Sequence, residues 1–211
     1  MAKEHLQGIK NIILDMGGVI IAIDYTLTAK AFIQLGIVDF EKIFTQAKQM
    51  GFVDEFEKGN LSPEGFRNQL RKMSGKKFTD TEIDACWNAL ILDFEQNNLA
   101  IIQQLAQHYN LYLLSNNNAI HYKKLITKIE AIIPFQEFSK LFIKNYYSHL
   151  LNMRKPDKET FEFVLTENNL KAEETLFVDD SVQHINSAAQ LNIKTLEINA
   201  STTLANSFKI Q

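Results

Sequence analysis

The chain has 211 residues, of which 45% are hydrophobic and 22% are charged, with 22 lysines and arginines against 25 aspartates and glutamates. These proportions are typical of a globular protein with a substantial core and exclude a chain that is disordered throughout. The formal net charge of −3 argues against general electrostatic binding to nucleic acid or an anionic membrane, and the single cysteine excludes an intramolecular disulfide and a multi-cysteine zinc site.

The N-terminal region indicates where the protein acts. It contains no apolar stretch of signal-peptide length behind a basic start. Residues 19–23, its tightest apolar run, fall far short of the ~20 residues that cross a bilayer. We therefore expect a cytoplasmic protein without a nucleic-acid or membrane partner.

Short apolar runs that stop at polar residues predict the strands. The first run covers residues 10–14 and stops at Asp15, and residues 19–23 continue in an extended conformation. Three later runs lie at 111–114, 175–178 and 193–198, with a weaker candidate at 141–143. Helical spacing of apolar residues separates these runs, and Ser115-Asn116 and Asp180-Ser181 offer N-cap side chains. The alternation predicts an α/β fold, a Rossmann-like parallel sheet covered by helices on both faces.

Residues 24–93 interrupt this alternation with helical patterns and no convincing strand. Their apolar faces lie at 32/35, 43/44/47, 52/56, 66/70/73 and 83/87/90. We expect a small all-helical insertion after the first strand. The predicted division is an α/β core of residues 1–23 and 94–211 and a helical unit of residues 24–93.

Polar side chains close the predicted strands. They are Asp15, Ser115-Asn116 and Asp179-Asp180, and Arg154-Lys155-Pro156 precedes a helix that starts near Asp157. Ligands bind at the carboxyl ends of the strands in open parallel sheets. Three carboxylates gathered there repel one another unless a cation binds, and hard oxygen ligands favour Mg²⁺. Each piece alone is typical of a cap or turn, so the signal is their joint order.

That ordered pattern resembles the haloacid dehalogenase-like hydrolase superfamily. The matching segments read ILDMGGV at 13–19, LLSN at 113–116, RKP at 154–156 and FVDDS at 177–181. The helical insertion resembles the cap of the superfamily branch whose cap follows the first motif. Small bacterial sugar-phosphate phosphatases, including the α-glucose-1-phosphate phosphatase type, are similar in having glycine two residues after the first aspartate and a Met-Arg-Lys-Pro stretch.

The resemblance implies a Mg²⁺-dependent phosphatase for a small phosphorylated metabolite, a sugar 1-phosphate in particular. Asp15 would attack phosphorus and form an aspartyl-phosphate that water hydrolyses. Ser115 and Asn116 would bind phosphate oxygens, and Lys155 would stabilise the negative charge. The implied metal ligands are Asp15, the carbonyl of Gly17, Asp180 and, directly or through water, Asp179.

Gly17 departs from most phosphatases of the superfamily, which carry a second aspartate there as general acid and base. Such a group typically contributes ~10²–10⁴-fold to the rate. The enzyme would be slow, would use another group such as Asp24 or a cap residue, or would be inactive. The structural interpretation of Gly17-Gly18 is a tight turn that needs positive φ.

Other residues leave alternatives open. The aromatic and polar turn at 52–60 could cover a sugar or be a solvated helix end. His184 could approach the site or lie on a helix surface, and Cys86 beside Trp87 fits the core of the insertion.

Two other functions compete with the phosphatase. A metal-independent 2-haloacid dehalogenase also uses an aspartate nucleophile without the second aspartate, but it lacks the acidic pair in the fourth motif. A noncatalytic phosphosugar-binding relative is the other alternative, because of Gly17.

Overall fold

A five-stranded parallel sheet organises the protein, which the computed structural model describes at residues 4–37, 40, 51–94 and 96–208. Its strands are β1 (Asn11–Leu14), β4 (Asn110–Ser115), β5 (Lys144–Tyr147), β6 (Thr175–Asp179) and β7 (Lys194–Glu197). The spatial order is β5-β4-β1-β6-β7, with every neighbouring pair parallel. The chain builds β4 and β5 on one side of β1 and then crosses to the other side, so the order reverses at β1.

The central strand β1 is buried on both faces, as its uninterrupted apolar sequence predicts. Ile12 and Leu14 belong to one hydrophobic cluster and Ile13 to the other, because side chains alternate along a strand. The first cluster continues into the insertion through Phe56 and Trp87. One apolar core thus joins the sheet to the insertion.

Helices surround the sheet and form the insertion. The insertion contains α1 (Tyr25–Leu35), α2 (Gly51–Glu57), α3 (Pro63–Ser74) and α4 (Asp80–Trp87). The others are α5 (Gln96–His108), α6 (Ala119–Glu130), α7 (Phe135–Ser139), α8 (Ser148–Leu151), α9 (Lys158–Glu167), α10 (Val182–Ala189) and α11 (Leu204–Ser207). No helix in the described ranges is long and apolar enough to cross a membrane.

The absence of strands predicted for residues 24–93 is wrong at the end of that segment. Strand β3 (Ile91–Phe94) pairs antiparallel with β2 (Ile21–Ile23), where the chain leaves and re-enters the core. The two central residues of β3 are exposed and its partner is distant in sequence, so local periodicity gives little sign of it. The division at residues 24 and 93 stays a prediction, and the apolar face at 43/44/47 lies outside the described residues.

The weaker strand candidate at 141–143 is also displaced. Phe142 is buried beside α7, whereas Ile143 is 62% exposed, and the edge strand β5 begins only at Lys144. Residues 141–143 therefore form a connection and not a strand, and Phe142 packs into the core. The remaining strand predictions agree with β1, β4, β6 and β7 to within one or two residues.

Candidate active site

The carboxyl ends of the three central strands bring the predicted site residues together. Asp15 follows β1, Ser115 ends β4 and Asp179 ends β6. Strands β4 and β6 both pair directly with β1. Asp15 is buried, and Ser115 and Asp179 are buried beside it. The predicted convergence of polar residues at one sheet edge is therefore present.

Lys155 lies between two of these carboxylates and is completely buried. Its Nζ atom donates to Asp15 Oδ1 at 2.8 Å and to Asp179 Oδ2 at 2.6 Å. The ammonium group also lies 5.3 Å from the centre of the Phe177 ring. Burial acts to lower the pKa of Lys155, but the two carboxylates outweigh it and raise that pKa, so the group is cationic.

Asn116 holds the backbone of Lys155. Its Nδ2 donates to the Lys155 carbonyl at 2.7 Å, and its Oδ1 accepts from the Lys155 N–H at 2.9 Å. The side-chain amide is thus hydrogen bonded in both directions to the residue that supports Asp15. A phosphate contact from Asn116, as expected from the sequence, would use the second Nδ2 hydrogen and stays a prediction.

The two carboxylates that Lys155 contacts have different pKa values, although both are buried. Burial raises the pKa of Asp15 to about 8, helped by Asp179 and Asp180 and opposed by Lys155. Burial also acts to raise the pKa of Asp179, but Lys155 and His184 outweigh it and bring that pKa to about 2. At neutral pH and without a further cation, Asp15 therefore retains a proton.

The acidic residues fit a divalent cation. Carboxylate oxygens of Asp15, Asp179 and Asp180 lie within 4.8 Å of one another. Three ionised carboxylates against one lysine would leave an excess of two negative charges, which a divalent cation would balance. The donors are oxygens, as Mg²⁺ requires. The Gly17 carbonyl as a further ligand stays a prediction.

The two glycines after Asp15 have different roles. Gly18 has a φ of 75°, and a Cβ atom there would overlap the Asp180 carboxylate, so only glycine fits. Gly17 does not adopt positive φ, and a Cβ there would lie 3.2 Å from the end of the Ile23 side chain. The tight-turn interpretation therefore holds for Gly18 but does not explain Gly17.

His184 belongs to the site and not to a helix surface. Its Nδ1 lies 2.9 Å from Asp179 Oδ1, which also accepts from the Ser181 N–H at 2.8 Å. With Lys155 on Oδ2, both oxygens of Asp179 have partners. Ser181 occupies the N-cap position of α10 as predicted, but its side chain makes no capping bond. The spacing of His184 one turn after Asp180 was the signal for this contact.

A second histidine, His121, was missed by sequence reasoning. The side chain of Asn118 caps α6, two residues later than the predicted cap at Ser115-Asn116. Its Oδ1 accepts from Trp87 Nε1, and its Nδ2 donates to His121 Nδ1 at 2.9 Å. His121 Nε2 therefore carries the hydrogen and donates to the Trp87 carbonyl at 2.9 Å. Burial lowers the pKa of His121 to about 4, so the ring is neutral.

A cleft opens over Asp15 between the sheet edge and the insertion, with about 680 Å³ of space when its open mouth is included. Arg154 of the predicted Arg154-Lys155-Pro156 segment lines it, and so do residues that sequence reasoning had not placed there, among them Tyr25, Ile91, Asn117 and His121. Of the turn at 52–60, Glu57 lines the cleft, whereas Phe56 is buried against Phe66 in the insertion.

Asp24 and Cys86, which the sequence analysis singled out in the insertion, have structural roles there. Asp24, named above as a substitute acid, is the N-cap of α1 and accepts from the Thr26 N–H at 2.8 Å. It is not among the described residues that line the cleft. Cys86 is half-buried against the hydrophobic core, as predicted.

Comparison with known proteins identifies the family. A model described as haloacid dehalogenase-like hydrolase matches residues 9–192. A D-ribitol-5-phosphate phosphatase from Bacteroides thetaiotaomicron is 33% identical over 189 residues, which are 90% of this chain and 91% of that protein. A family enzyme from the same species, crystallised with magnesium and inorganic phosphate, has a TM-score of 0.81 at 32% identity and covers 95% of this chain and 100% of its own.

More distant structures share the architecture. A HAD-like family hydrolase from Porphyromonas gingivalis has a TM-score of 0.81 at 27% identity, over 90% of this chain and 91% of its own. An L-2-haloacid dehalogenase from Xanthobacter autotrophicus, at 15% identity and a TM-score of 0.60, covers 90% of this chain and 77% of its own and is alike in fold alone. The family model and the Bacteroides relatives together show that this chain belongs to the haloacid dehalogenase-like hydrolases.

Proposed function

We propose that this chain is a Mg²⁺-dependent phosphatase that hydrolyses a small phosphorylated sugar or polyol through an aspartyl-phosphate. The observation that carries the proposal is the placement of Asp15 beside Lys155 and Asp180 at the floor of a cleft. Family membership and phosphatases among its relatives support a phosphoric monoester hydrolase, the class that the sequence predicted. The magnesium in the Bacteroides crystal structure supports the cofactor.

In the proposed first step, a carboxylate oxygen of Asp15 attacks phosphorus in line with the ester oxygen. The new O–P bond forms as the ester O–P bond breaks, and the departing oxygen takes a proton from water or a cleft residue. In the second step, water attacks the aspartyl-phosphate, which releases inorganic phosphate and restores Asp15. Lys155 keeps its ammonium group against Asp15 and stabilises the charge that develops on the phosphoryl oxygens.

The metal would be held by Asp15, Asp180 and the Gly17 carbonyl, with Asp179 in contact directly or through water. Bound there, magnesium would neutralise phosphate charge and would favour the ionised form of Asp15. Asp179 holds Lys155 and is itself held by Ser181 and His184. Ser115, at the end of β4, would hydrogen-bond a phosphate oxygen from the opposite side of Asp15.

Replacing Lys155 with Met tests the charge that faces the phosphate. We expect kcat/KM to fall by about 10²-fold or more, as for other groups that face transition-state charge. We also expect the variant to lose about 3–5 kcal/mol of unfolding free energy in the absence of magnesium, because the buried carboxylate of Asp179 loses the cation that it shares with Asp15. Steady-state kinetics and urea unfolding measure the two effects.

The matched control is Lys158→Met, which removes an exposed lysine that pairs with Glu162. It should leave both kinetics and stability close to wild type. A change in kcat/KM of less than about threefold in Lys155→Met would place Lys155 outside the reacting site.

The leaving group that reacts fastest depends on the absence of an acidic side chain at Gly17. Without an acid at that position, the ester oxygen departs with little proton assistance, so a more acidic leaving hydroxyl should react faster. Sugar 1-phosphates would then be better substrates than 6-phosphates, because the ring oxygen makes the anomeric hydroxyl more acidic. The relative that hydrolyses D-ribitol 5-phosphate suggests instead an ordinary primary alcohol.

A series of phosphate esters with leaving hydroxyls of graded acidity distinguishes these substrates. We expect the wild-type rate to rise steeply with acidity, and Gly17→Asp to flatten that dependence. The backbone at Gly17 tolerates a side chain with a small shift of Ile23, so the variant should fold. Gly17→Asn adds the same bulk without an acid and should keep the steep dependence. A wild-type rate indifferent to acidity would show that another residue already donates the proton.

A further inference from the structure

An ion pair closes the side of the cleft that faces the insertion. Glu57, at the end of α2, is only 6% exposed, and Arg154 immediately precedes Lys155. Arg154 Nε lies 3.0 Å from Glu57 Oε2, and its Nη1 donates to Asp54 Oδ1 at 2.9 Å. Both Glu57 and Arg154 line the cleft above Asp15.

The position of Glu57 is fixed by the turn that follows it. Asn152 Nδ2 donates to the Lys58 carbonyl at 2.9 Å, and Lys58 Nζ lies 3.2 Å from Asp157 Oδ2. Gly59 has a φ of 75°, and a Cβ atom there would overlap the carbonyl of His149. The turn is therefore packed backbone to backbone against α8, which leads into the loop that carries Lys155. That packing holds the end of α2, and with it Glu57, beside the cleft.

The charges on the two sides of the cleft differ. At the sheet edge, Lys155 and a divalent cation would balance the charges of Asp15, Asp179 and Asp180. On the side of the insertion, two cations, Arg154 and Lys58, face three carboxylates, Asp54, Glu57 and Asp157. These groups together carry an excess of negative charge. An anionic group placed beside them would meet the buried carboxylate of Glu57.

We infer that Glu57 determines specificity, a conclusion that rests on the proposed phosphatase function. Its carboxylate accepts hydrogen bonds from hydroxyls of the leaving group and repels a leaving group that carries its own anionic group. The substrate class is therefore a monophosphate of a neutral polyol or sugar, and not a bisphosphate or a phosphorylated acid. Repulsion of this kind is a common source of specificity because a like-charge contact costs several kcal/mol.

The test compares two substrates that differ only at the end remote from the phosphate. D-Ribitol 5-phosphate ends in a hydroxymethyl group and D-ribonate 5-phosphate ends in a carboxylate, so both have the same leaving oxygen. We expect the wild type to favour the polyol in kcat/KM by on the order of 10²-fold. Glu57→Gln removes the charge at nearly constant shape and should reduce that preference by at least about tenfold, through faster turnover of the ribonate ester.

Two further variants separate charge from packing. Glu57→Asp keeps the charge on a shorter stem and should retain most of the discrimination. Glu55→Gln makes the same chemical change on an exposed residue of the same helix and should leave the preference within about twofold of wild type. Thermal unfolding of each variant tests whether the ion pair only stabilises the fold. In that case Glu57→Gln would lower the unfolding temperature without changing the ratio of kcat/KM between the two esters.

The outcomes distinguish the inference from the function on which it rests. A wild type that hydrolyses both esters with a ratio near one overturns the inference, whatever the variants do. A strong wild-type preference that is unchanged in folded Glu57→Gln also overturns it. A wild type that hydrolyses neither ester nor p-nitrophenyl phosphate in the presence of magnesium overturns the proposed function itself.

Discussion

Asp15→Asn is expected to reduce the turnover of every phosphate ester below detection while the protein keeps its fold. An amide lacks the anionic oxygen that attacks phosphorus, so no aspartyl-phosphate can form. The substitution is nearly isosteric, and its carbonyl oxygen can still accept the hydrogen bond from Lys155. Hydrolysis of p-nitrophenyl phosphate at saturating magnesium measures the loss, and circular dichroism with thermal unfolding measures the fold.

The unfolding free energy should show that Asp15→Asn does not lose its activity through a folding defect. Because burial raises the pKa of Asp15, the metal-free wild type at neutral pH already holds a proton at this position, and asparagine resembles that neutral form. We therefore expect the unfolding free energy without metal to equal or exceed that of the wild type. Asp93→Asn, which changes an exposed aspartate paired with Lys128, is the matched control and should keep normal turnover. Near-normal turnover in Asp15→Asn would assign the nucleophile to another residue.

The parts of the fold that sequence reasoning predicted well are those that local chemistry determines. Strands β1, β4 and β6 are buried on both faces, so their sequences are continuous apolar runs that end sharply at polar residues. The same ends carry Asp15, Ser115 and Asp179, and parallel pairing with β1 brings them to one edge. Strands β3 and β5 lie at edges with exposed residues, and their apolar patterns are correspondingly weak.

The parts of the site that were missed depend on packing between distant segments. Glu57 belongs to the turn that sequence reasoning proposed as a cover for a sugar, but its place in the cleft depends on packing of that turn against a segment about 90 residues away. His121 is buried by stacking on Trp87, a residue of the insertion. Asn116 lies where its motif predicts, but its amide is bound to the Lys155 backbone, a partner that only the folded chain reveals.

Removal of magnesium is the second change expected to abolish activity. Burial, helped by the carboxylates of Asp179 and Asp180, raises the pKa of Asp15 to about 8, so without a divalent ion Asp15 holds a proton at neutral pH and cannot attack. We expect activity to disappear in EDTA and to return fully when magnesium is added in excess. Asp180→Asn, which weakens the site without touching Lys155, should raise the magnesium concentration needed for half-maximal activity.

A measurement that does not require turnover completes this test. A ligand that binds only the native state stabilises it by RT ln(1 + [L]/Kd), which is about 2.7 kcal/mol at a concentration 100 times Kd. Magnesium should therefore raise the unfolding temperature of the wild type in the absence of substrate, and should raise that of Asp180→Asn less, because the repulsion among the carboxylates is already reduced. Full phosphatase activity in metal-free buffer would contradict the assignment. Release of chloride from a 2-haloacid under those conditions would favour the dehalogenase instead.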